Sequence, residues 1–211
     1  MSHKVQPKAF RIRRIEDWDS RGFYEKKFSS YLEEDFKIRE FLEKKTKRFG
    51  VGRIVIERSA GKVNIIIFTA RPGLIIGRGG EEIDRLRREL QQKILKKKSG
   101  LNVEIREIKT PWSCASLVVQ WIAVQIEKRM SYRRVLKRAL AKVISQRDVK
   151  GARVEVSGRL NGISIARREW LKQGLLPRQT LRADIDYAQG TAFCSYGAVG
   201  IKVWIYKGEK F

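Results

Sequence analysis

The chain has 211 residues and carries 47 lysines and arginines against 23 acidic residues, a formal net charge of +24. Residues 1–110 hold 28 basic and 16 acidic groups and residues 111–211 hold 19 and 7, which excludes a neutral domain with a basic tail. A hydrophobic content of 42% argues against a disordered polycation. Nucleic acid is the first candidate partner and an anionic membrane surface the second, because a polyanion would relieve the repulsion among these charges.

Metal-dependent and nucleophilic chemistry have little support in the composition. His3 is the only histidine, and the two cysteines, Cys114 and Cys194, lie far apart in apolar surroundings. No spacing resembles a zinc site, and neither a Cys–His nor a Ser–His arrangement is possible in the interior. We therefore expect reduced, structural cysteines, no catalytic residue, no metal site and no cofactor.

The first part of the chain predicts a basic arm followed by a helix and a hairpin. Residues 1–20 are polar and basic, and such an arm either becomes ordered on a partner or stays solvated. Between residues 23 and 49, apolar side chains recur at three- and four-residue steps among charges, which predicts a helix. Residues 53–57 and 63–69 are predicted strands joined by a short turn.

The next feature is a glycine-rich loop, Gly77-Arg78-Gly79-Gly80, at the start of another predicted helix. Glycine lets a phosphodiester approach closely, and the N–H groups and dipole of the helix favour an anion there. Arg78 adds a charge suited to phosphate, and we assign Arg71 to the same surface. The spacing fits neither a P-loop nor a dinucleotide fingerprint, which would need glycine where Glu82 stands. It predicts the G-x-x-G loop by which K-homology (KH) modules hold single-stranded nucleic acid.

The elements around this loop predict a complete small domain. Residues 81–97 are a predicted helix and residues 101–108 a third strand, so the order is helix–strand–strand–loop–helix–strand. That order predicts an α/β sandwich with an antiparallel hairpin, in which a three-stranded sheet has its helices on one face. It matches a type II KH domain over residues 21–110.

The second half predicts a different domain over residues 111–207, with residues 208–211 as a short tail. Its first helix, residues 112–130, includes the uncharged stretch 110–126, which is at the short limit for a membrane span and contains polar side chains. A buried helix of a soluble domain explains this stretch better. Because the amino terminus shows no signal peptide, we expect a cytoplasmic protein without a membrane partner.

The second helix of this half, residues 132–147, is sharply amphipathic. Its predicted inward face consists of Leu136, Ala139, Leu140 and Val143. The opposite face is basic and consists of Arg134, Lys137, Arg138 and Lys142, with Arg133 at its edge. A solvated face is the simplest interpretation, but the absence of any acid among residues 128–147 favours an anion-binding face.

The remainder predicts strands with one short helix between them. Residues 152–157 alternate as a strand, and a short helix is predicted over residues 165–172. Strands at 181–187 and 199–206 flank a connection over residues 190–197. The second half is therefore predicted to be two helices packed on a small, mostly antiparallel sheet, which makes the whole an α+β chain of two domains.

Asp184 and Asp186 are the only close acidic pair in the second half, and they alternate on one face of a predicted strand. A nuclease or lyase would need a carboxylate cluster for a metal, or a placed general base. Without a third ligand in view, we favour ion pairs with arginines such as Arg182. An enzyme acting on nucleic acid is the weaker alternative, and a free KH regulator of messenger or antitermination RNA stays open.

Eight segments carry a family resemblance: RIVIER (53–58), TARPG (69–73), IGRGGE (76–81), YRRVLKRA (132–139), VEVSGRL (154–160), TLRADIDY (180–187), YG (196–197) and GIKVWI (200–205). Through them the chain resembles the family of bacterial small-subunit ribosomal protein number three, across both domains in order. The motifs of the second domain are more specific than the glycine loop.

This resemblance implies a structural, RNA-binding component in the head of the small ribosomal subunit. Its implied partners are small-subunit ribosomal RNA, messenger RNA and neighbouring ribosomal proteins. Family members line the channel where messenger RNA enters and help to unwind it, a role attributed to residues that match Arg133, Arg134 and Lys137. The predicted RNA-binding residues are Arg71, Gly77, Arg78, Gly79, Gly80, Arg133, Arg134, Lys137, Arg138 and Arg159.

Overall fold

The computed structural model describes residues 5–11, 17–22, 28–46, 49–59, 62–94 and 100–210. In chain order, its helices and strands are α1 (Pro7–Arg11), β1 (Ser20–Gly22), α2 (Phe28–Thr46), β2 (Val51–Ser59), β3 (Lys62–Thr69), α3 (Pro72–Ile76), α4 (Glu81–Lys93), β4 (Gly100–Glu107), α5 (Ala115–Glu127), α6 (Tyr132–Ile144), β5 (Gly151–Gly158), β6 (Arg167–Gly174), β7 (Ala183–Cys194) and β8 (Gly197–Glu209). The chain divides into two compact units. The amino-terminal unit is Trp18–Lys109, and the carboxy-terminal unit is Thr110–Phe211 together with the residues before Trp18.

The amino-terminal unit is built on a sheet with the strand order β1-β2-β3-β4. β1 pairs parallel with β2, β2 antiparallel with β3, and β3 parallel with β4. The predicted order of elements and the antiparallel hairpin are confirmed. The predicted number of three strands is wrong, because Ser20–Gly22, at the boundary between the predicted arm and the KH domain, form a fourth strand along β2.

The core of this unit lies between the sheet and the two longer helices. Side chains of β2 and β3 pack against α2 and α4. The fully buried side chains at this contact are Ile56, Ile65 and Ile67 from the strands and Ile38, Leu42 and Leu90 from the helices. Each such side chain contributes about 1.5–3 kcal/mol when it is buried. This shared core holds α2 and α4 on one face of the sheet, as the sequence predicts.

The described bounds of both helices lie within the ranges that the sequence pattern predicts. α2 spans Phe28–Thr46 against a predicted 23–49, and residues 23–27 and 47–48 of that prediction lie outside the described ranges. α4 ends at Lys93, and Ile94 caps it by donating its N–H to Leu90 O at 3.0 Å. Residues 95–97 of the predicted helix lie outside the described ranges.

The carboxy-terminal unit has an entirely antiparallel sheet in the order β6-β5-β8-β7. Alternate residues of β5 and β8 face the helices α5 and α6, and the fully buried residues of these two strands are Ala152, Val154, Val156, Val199, Ile201, Val203 and Ile205. The helices contribute Ile122, Leu136, Ala139 and Val143 to the same core. The prediction of two helices packed on an antiparallel sheet is confirmed.

The prediction of a short helix over residues 165–172 is wrong, because Arg167–Gly174 form strand β6. The residue types of this segment, RREWLKQG, include good helix formers, which explains the error. β5 offers a complete antiparallel ladder to this segment, from Gly151 opposite Gly174 to Gly158 opposite Arg167. Long-range pairing here outweighs local preference, as is common for strands.

The predicted connection over residues 190–197 is also wrong, because β7 continues to Cys194 and β8 begins at Gly197. Gly190 lies inside β7 opposite Ile201 rather than in a loop. A Cβ at position 190 would lie 2.5 Å from Val119 Cγ1 of α5, so glycine is what lets this helix approach the strand.

Described parts of the predicted arm and of the predicted tail belong to regular elements. Within the predicted arm, α1 packs on the carboxy-terminal unit, where Lys8 Nζ lies 3.0 Å from Asp186 Oδ1. Buried Arg11 donates to Arg178 O at 3.0 Å and to Thr180 O at 2.9 Å. At the other end, residues 208 and 209 of the predicted tail belong to β8. In the part of the chain that the structure describes, no helix has the length and apolar character needed to cross a membrane.

Candidate nucleic-acid interface

The glycine loop is a compact turn between α3 and α4. Gly77 ends α3 with φ 75° and ψ −178°, and its N–H donates to Gly73 O at 3.0 Å. Gly79 and Gly80 follow with φ values of 61° and 84°, which is left-handed backbone that glycine adopts readily. A Cβ at Gly77 would lie 2.8 Å from Glu82 Cγ, so the tight entry to α4 requires glycine there.

The charges around this turn oppose one another. Arg71 and Arg78 are exposed, as expected for residues that meet phosphate. The first turn of α4, however, contains Glu81, Glu82 and Asp84, which already complement the positive end of the helix dipole. These carboxylates compete with an incoming anion, so contact with RNA here would rely on Arg78, Arg71 and the glycine backbone.

Helix α6 has the two faces that the sequence predicts. Its inward face is buried and comprises Tyr132, Val135, Leu136, Ala139, Leu140 and Val143. Arg133, Arg134, Lys137 and Arg138 are exposed along its first turn and a half. At 3.6 residues per turn, Arg134, Lys137 and Arg138 project on one side of the helix. This is a cationic surface on a rigid element, suited to a phosphate backbone.

Glu169 of β6 is a neighbour of this surface that the sequence analysis missed. Tyr132 donates its hydroxyl to Glu169 Oε1 at 2.8 Å, and Arg133 Nε donates to Glu169 Oε2 at 3.4 Å. These two hydrogen bonds lower the pKa of Glu169. The error has a direct cause, because a helix was predicted where β6 runs. In β6, Glu169 lies opposite Val156 of β5, which faces the helices. This strand pairing is what turns the Glu169 side chain toward α6.

Lys142, predicted as part of the basic face, is oriented toward aromatic rings. Its Nζ lies 4.7 Å from the ring centroid of Trp112 and 5.4 Å from that of Trp121. The two tryptophan rings meet edge to face with centroids 5.3 Å apart. This cation–π arrangement ties Lys142 to the protein itself.

Arg159 lies in the turn after β5 and braces the backbone there. Its Nε donates to Ile163 O at 3.1 Å and its Nη1 donates to Tyr196 O at 3.2 Å. A guanidinium has five N–H donors, so Arg159 keeps further donors while it holds the turn. The structure thus gives this predicted RNA-binding residue a structural role.

The acidic pair that motivated an enzymatic alternative has structural partners. Asp186 Oδ2 accepts the N–H of Ala115, the first residue of α5, at 2.7 Å, in addition to the ion pair with Lys8. Asp184 Oδ2 lies 2.9 Å from Lys210 Nζ. Ion pairing is therefore confirmed, although these partners are lysines rather than arginines. Within the described ranges, no group of three or more histidine, cysteine or acidic residues could hold a metal ion.

The amino-acid sequence matches two family models. The KH domain model covers residues 37–113, and the model described as Ribosomal protein S3, C-terminal domain, covers residues 122–205. The chain is also 49% identical over 210 residues to the Small ribosomal subunit protein uS3 of Caldicellulosiruptor saccharolyticus, across 99% of this chain and 93% of that protein. The chain belongs to the ribosomal protein S3 family.

Two further members of the S3 family show the same extent of similarity. The uS3 protein of Carboxydothermus hydrogenoformans is 48% identical over 210 residues, across 99% of this chain and 93% of that protein. That of Syntrophobacter fumaroxidans is 44% identical over 209 residues, which is 99% of both chains. The S3 family consists of structural proteins rather than enzymes, so the prediction of a non-enzymatic protein is confirmed.

Proposed function

We propose that this protein is a structural constituent of the small ribosomal subunit, where it binds the ribosomal RNA of the head. This role would place it in the cytoplasm among neighbouring ribosomal proteins. Relatives 42–49% identical to it are each named small ribosomal subunit protein uS3. The excess of positive charge in both halves of the sequence supports a polyanionic partner.

The observation that carries the RNA-binding proposal is the exposed cationic face of α6. Arg134, Lys137 and Arg138 project together from a helix whose other face is anchored in the core of the carboxy-terminal unit. Because the helix that carries them is already folded, no backbone freedom is lost when these cations meet phosphate, and the entropic cost falls on their side chains. The glycine loop supplies a second contact through Gly77, Arg78, Gly79 and Gly80, with Arg71 beside it.

A finer part of the proposal concerns messenger RNA. We infer that Arg133, Arg134 and Lys137 meet messenger RNA as it enters the subunit, hold its backbone and favour separated strands. The S3 family resemblance supports this assignment. No nucleotide-binding motif accompanies these residues, so translocation would have to supply the energy for unwinding.

Sedimentation of a cell lysate containing an epitope-tagged copy tests the structural role. We expect the tagged chain to travel with small subunits and to stay with them through a wash at moderate salt. A second tagged chain, in which Arg134, Lys137 and Arg138 are replaced by glutamate, should incorporate poorly into small subunits. A chain found mainly in the light fractions, bound to one messenger or antitermination RNA, would instead support the free KH regulator.

A further inference from the structure

The carboxy-terminal sheet has a second face, turned away from α5 and α6, that contains both cations and aromatic rings. Cross-strand neighbours share a face, and Arg153 opposes Lys172 on one side and Trp204 on the other. Likewise, Glu155 opposes Trp170 and Lys202. The helix-facing core uses the alternate residues, such as Val154 and Val203. We call this second surface the outer face: Arg153, Glu155, Arg168, Trp170, Lys172, Lys202 and Trp204.

At the centre of the outer face, a buried arginine lies between two tryptophans. The Arg153 guanidinium carbon is 4.2 Å from the ring centroid of Trp170 and 5.5 Å from that of Trp204. Arg153 Nη2 donates to Glu155 Oε2 at 2.7 Å, and their side chains are only 11% and 8% exposed. The guanidinium is thus held in place by a buried carboxylate, and it holds the Trp170 ring in turn.

Trp170 is the part of this arrangement that meets solvent. It is 50% exposed on β6, the edge strand of the sheet. On the same strand and face, Arg168 is 66% exposed and Lys172 is exposed, and Lys202 is exposed on the far side of β5. A large aromatic ring with a fixed orientation and flanking cations has the composition of a stacking platform for unpaired bases.

We propose that Trp170 stacks an unpaired base of single-stranded RNA, while Arg168, Lys172 and Lys202 contact the adjoining phosphates. Arg153 is the positioning residue, because it orients the ring from the buried side. The inference rests on the proposed function in taking RNA as the partner, and it adds a surface on the opposite face of the sheet from α6. Four cations against one carboxylate on the outer face favour a polyanion over a protein partner.

The test compares Trp170→Leu, which keeps apolar bulk, with Trp170→Phe, which keeps an aromatic ring. Binding of the full-length chain is measured with a twelve-nucleotide single-stranded RNA and with the same strand made abasic. We expect Trp170→Leu to weaken binding of the complete strand about tenfold. It should leave binding of the abasic strand unchanged, and Trp170→Phe should keep most of the affinity. Thermal melting of each variant checks that the fold is retained.

Photocrosslinking gives a readout specific to this surface. A strand containing 4-thiouridine is crosslinked to the full-length chain, which is then digested with trypsin. Cleavage after Arg168 and Lys172 releases a short peptide that contains Trp170, and we expect this peptide to carry the nucleotide. The yield should fall for Trp170→Leu.

A variant with Arg133, Arg134 and Lys137 replaced by alanine separates this inference from the proposed function. If the triple variant loses affinity while Trp170→Leu changes neither affinity nor crosslinking, the inference is overturned and RNA binding by α6 stands. Equal weakening of complete and abasic strands by Trp170→Leu would also overturn it, because the ring would then have no stacking role. A wild-type chain that binds neither the complete nor the abasic RNA would overturn both this inference and RNA binding by α6.

Discussion

Cations that look equivalent in the sequence differ in what they contact in the structure. Arg133 shares Glu169 with a tyrosine, and Lys142 lies against Trp112 and Trp121. Arg134, Lys137 and Arg138 form no ion pair with any residue in the described ranges. Phosphate binding by α6 should therefore depend most on these three side chains.

The depressed pKa of Glu169 predicts a pH-dependent contribution to stability. Tyr132 and Arg133 stabilise the ionised carboxylate, so the folded pKa lies below the unfolded value of about 4.3. The contribution is present above the unfolded pKa and is lost as the pH falls through the folded pKa. The difference in Tm between wild type and Glu169→Gln should therefore be largest near pH 7 and should shrink toward pH 3. A difference that does not change with pH would contradict this.

Charge reversal in the glycine loop should weaken RNA binding without unfolding the protein. Gly79 has φ 61° and ψ 12°, a conformation that aspartate and asparagine tolerate better than other side chains, and no atom lies within 4 Å of a Cβ placed there. Arg78→Asp with Gly79→Asp should lower affinity and reduce the salt dependence by about one phosphate contact.

The matched control for the loop is Arg78→Asn with Gly79→Asn, which has the same backbone demands without negative charge. It should lose less affinity than the aspartate pair, as measured by filter binding over a salt series. If wild type, the asparagine pair and the aspartate pair bind equally well, the loop is only a turn.

Among the elements, α6 and β5 were predictable and β6 was not. α6 and β5 show their periodicity in the sequence because one face of each meets the core. β6 is an edge strand, and of its residues only Glu169 and Leu171 are partly covered on the helix side. Its burial pattern is therefore too weak to reveal a strand. Glu169 and the outer face were missed for the same reason.

Replacement of Arg133, Arg134 and Lys137 by alanine tests the unwinding role of α6. The domain should stay folded, because the buried face of α6 is untouched and alanine is a good helix former. Translation of an unstructured message should be nearly normal, and progress through a stable hairpin should slow. Toeprinting on paired templates with and without the hairpin measures this.

Lys142→Ala serves as the control on the same helix, because this lysine is oriented toward Trp112 and Trp121. It should leave the hairpin effect unchanged. Equal slowing of the triple variant on both templates would point to a general role in assembly, and no slowing on either would remove the unwinding assignment.

The close packing of α5 on β7 can be tested with a rescue pair. Gly190→Ala places a Cβ against Val119 and should destabilise the unit by about 1–3 kcal/mol through overpacking. Val119→Ala removes the contacted methyl groups, so Gly190→Ala should cost clearly less in that background. Urea denaturation of the four chains measures the coupling, and additive effects would show that the two sites do not interact.

At the scale of the whole molecule, composition was the most reliable guide. Charge and hydrophobic content indicated a folded protein with a polyanionic partner, and the order of elements indicated both sheets. The partners of individual charges were not predictable, because Lys8 with Asp186 and Lys210 with Asp184 are distant in sequence. Only the folded chain brings such pairs together.

The distributed charge predicts a steep salt dependence of RNA binding. If the chain neutralises on the order of five phosphates, the logarithm of its affinity for single-stranded RNA should fall with a slope of about −3.5 against the logarithm of salt concentration. Fluorescence anisotropy between low and moderate ionic strength would measure this slope. A flat dependence would show that binding does not rest on phosphate contacts.

The attachment of α1 to the carboxy-terminal unit sets an order of events during synthesis. Lys8 is made early, yet its partner Asp186 leaves the peptidyl transferase late, after the whole amino-terminal unit. At about 5–20 residues per second, the interval is roughly ten to thirty-five seconds. Within that time the synthesis of Trp18–Lys109 is completed and its whole sheet can form, before the carbonyl groups of Arg178 and Thr180 that accept from Arg11 have been made. Docking of α1 on the carboxy-terminal unit is thus one of the last folding steps of the nascent chain.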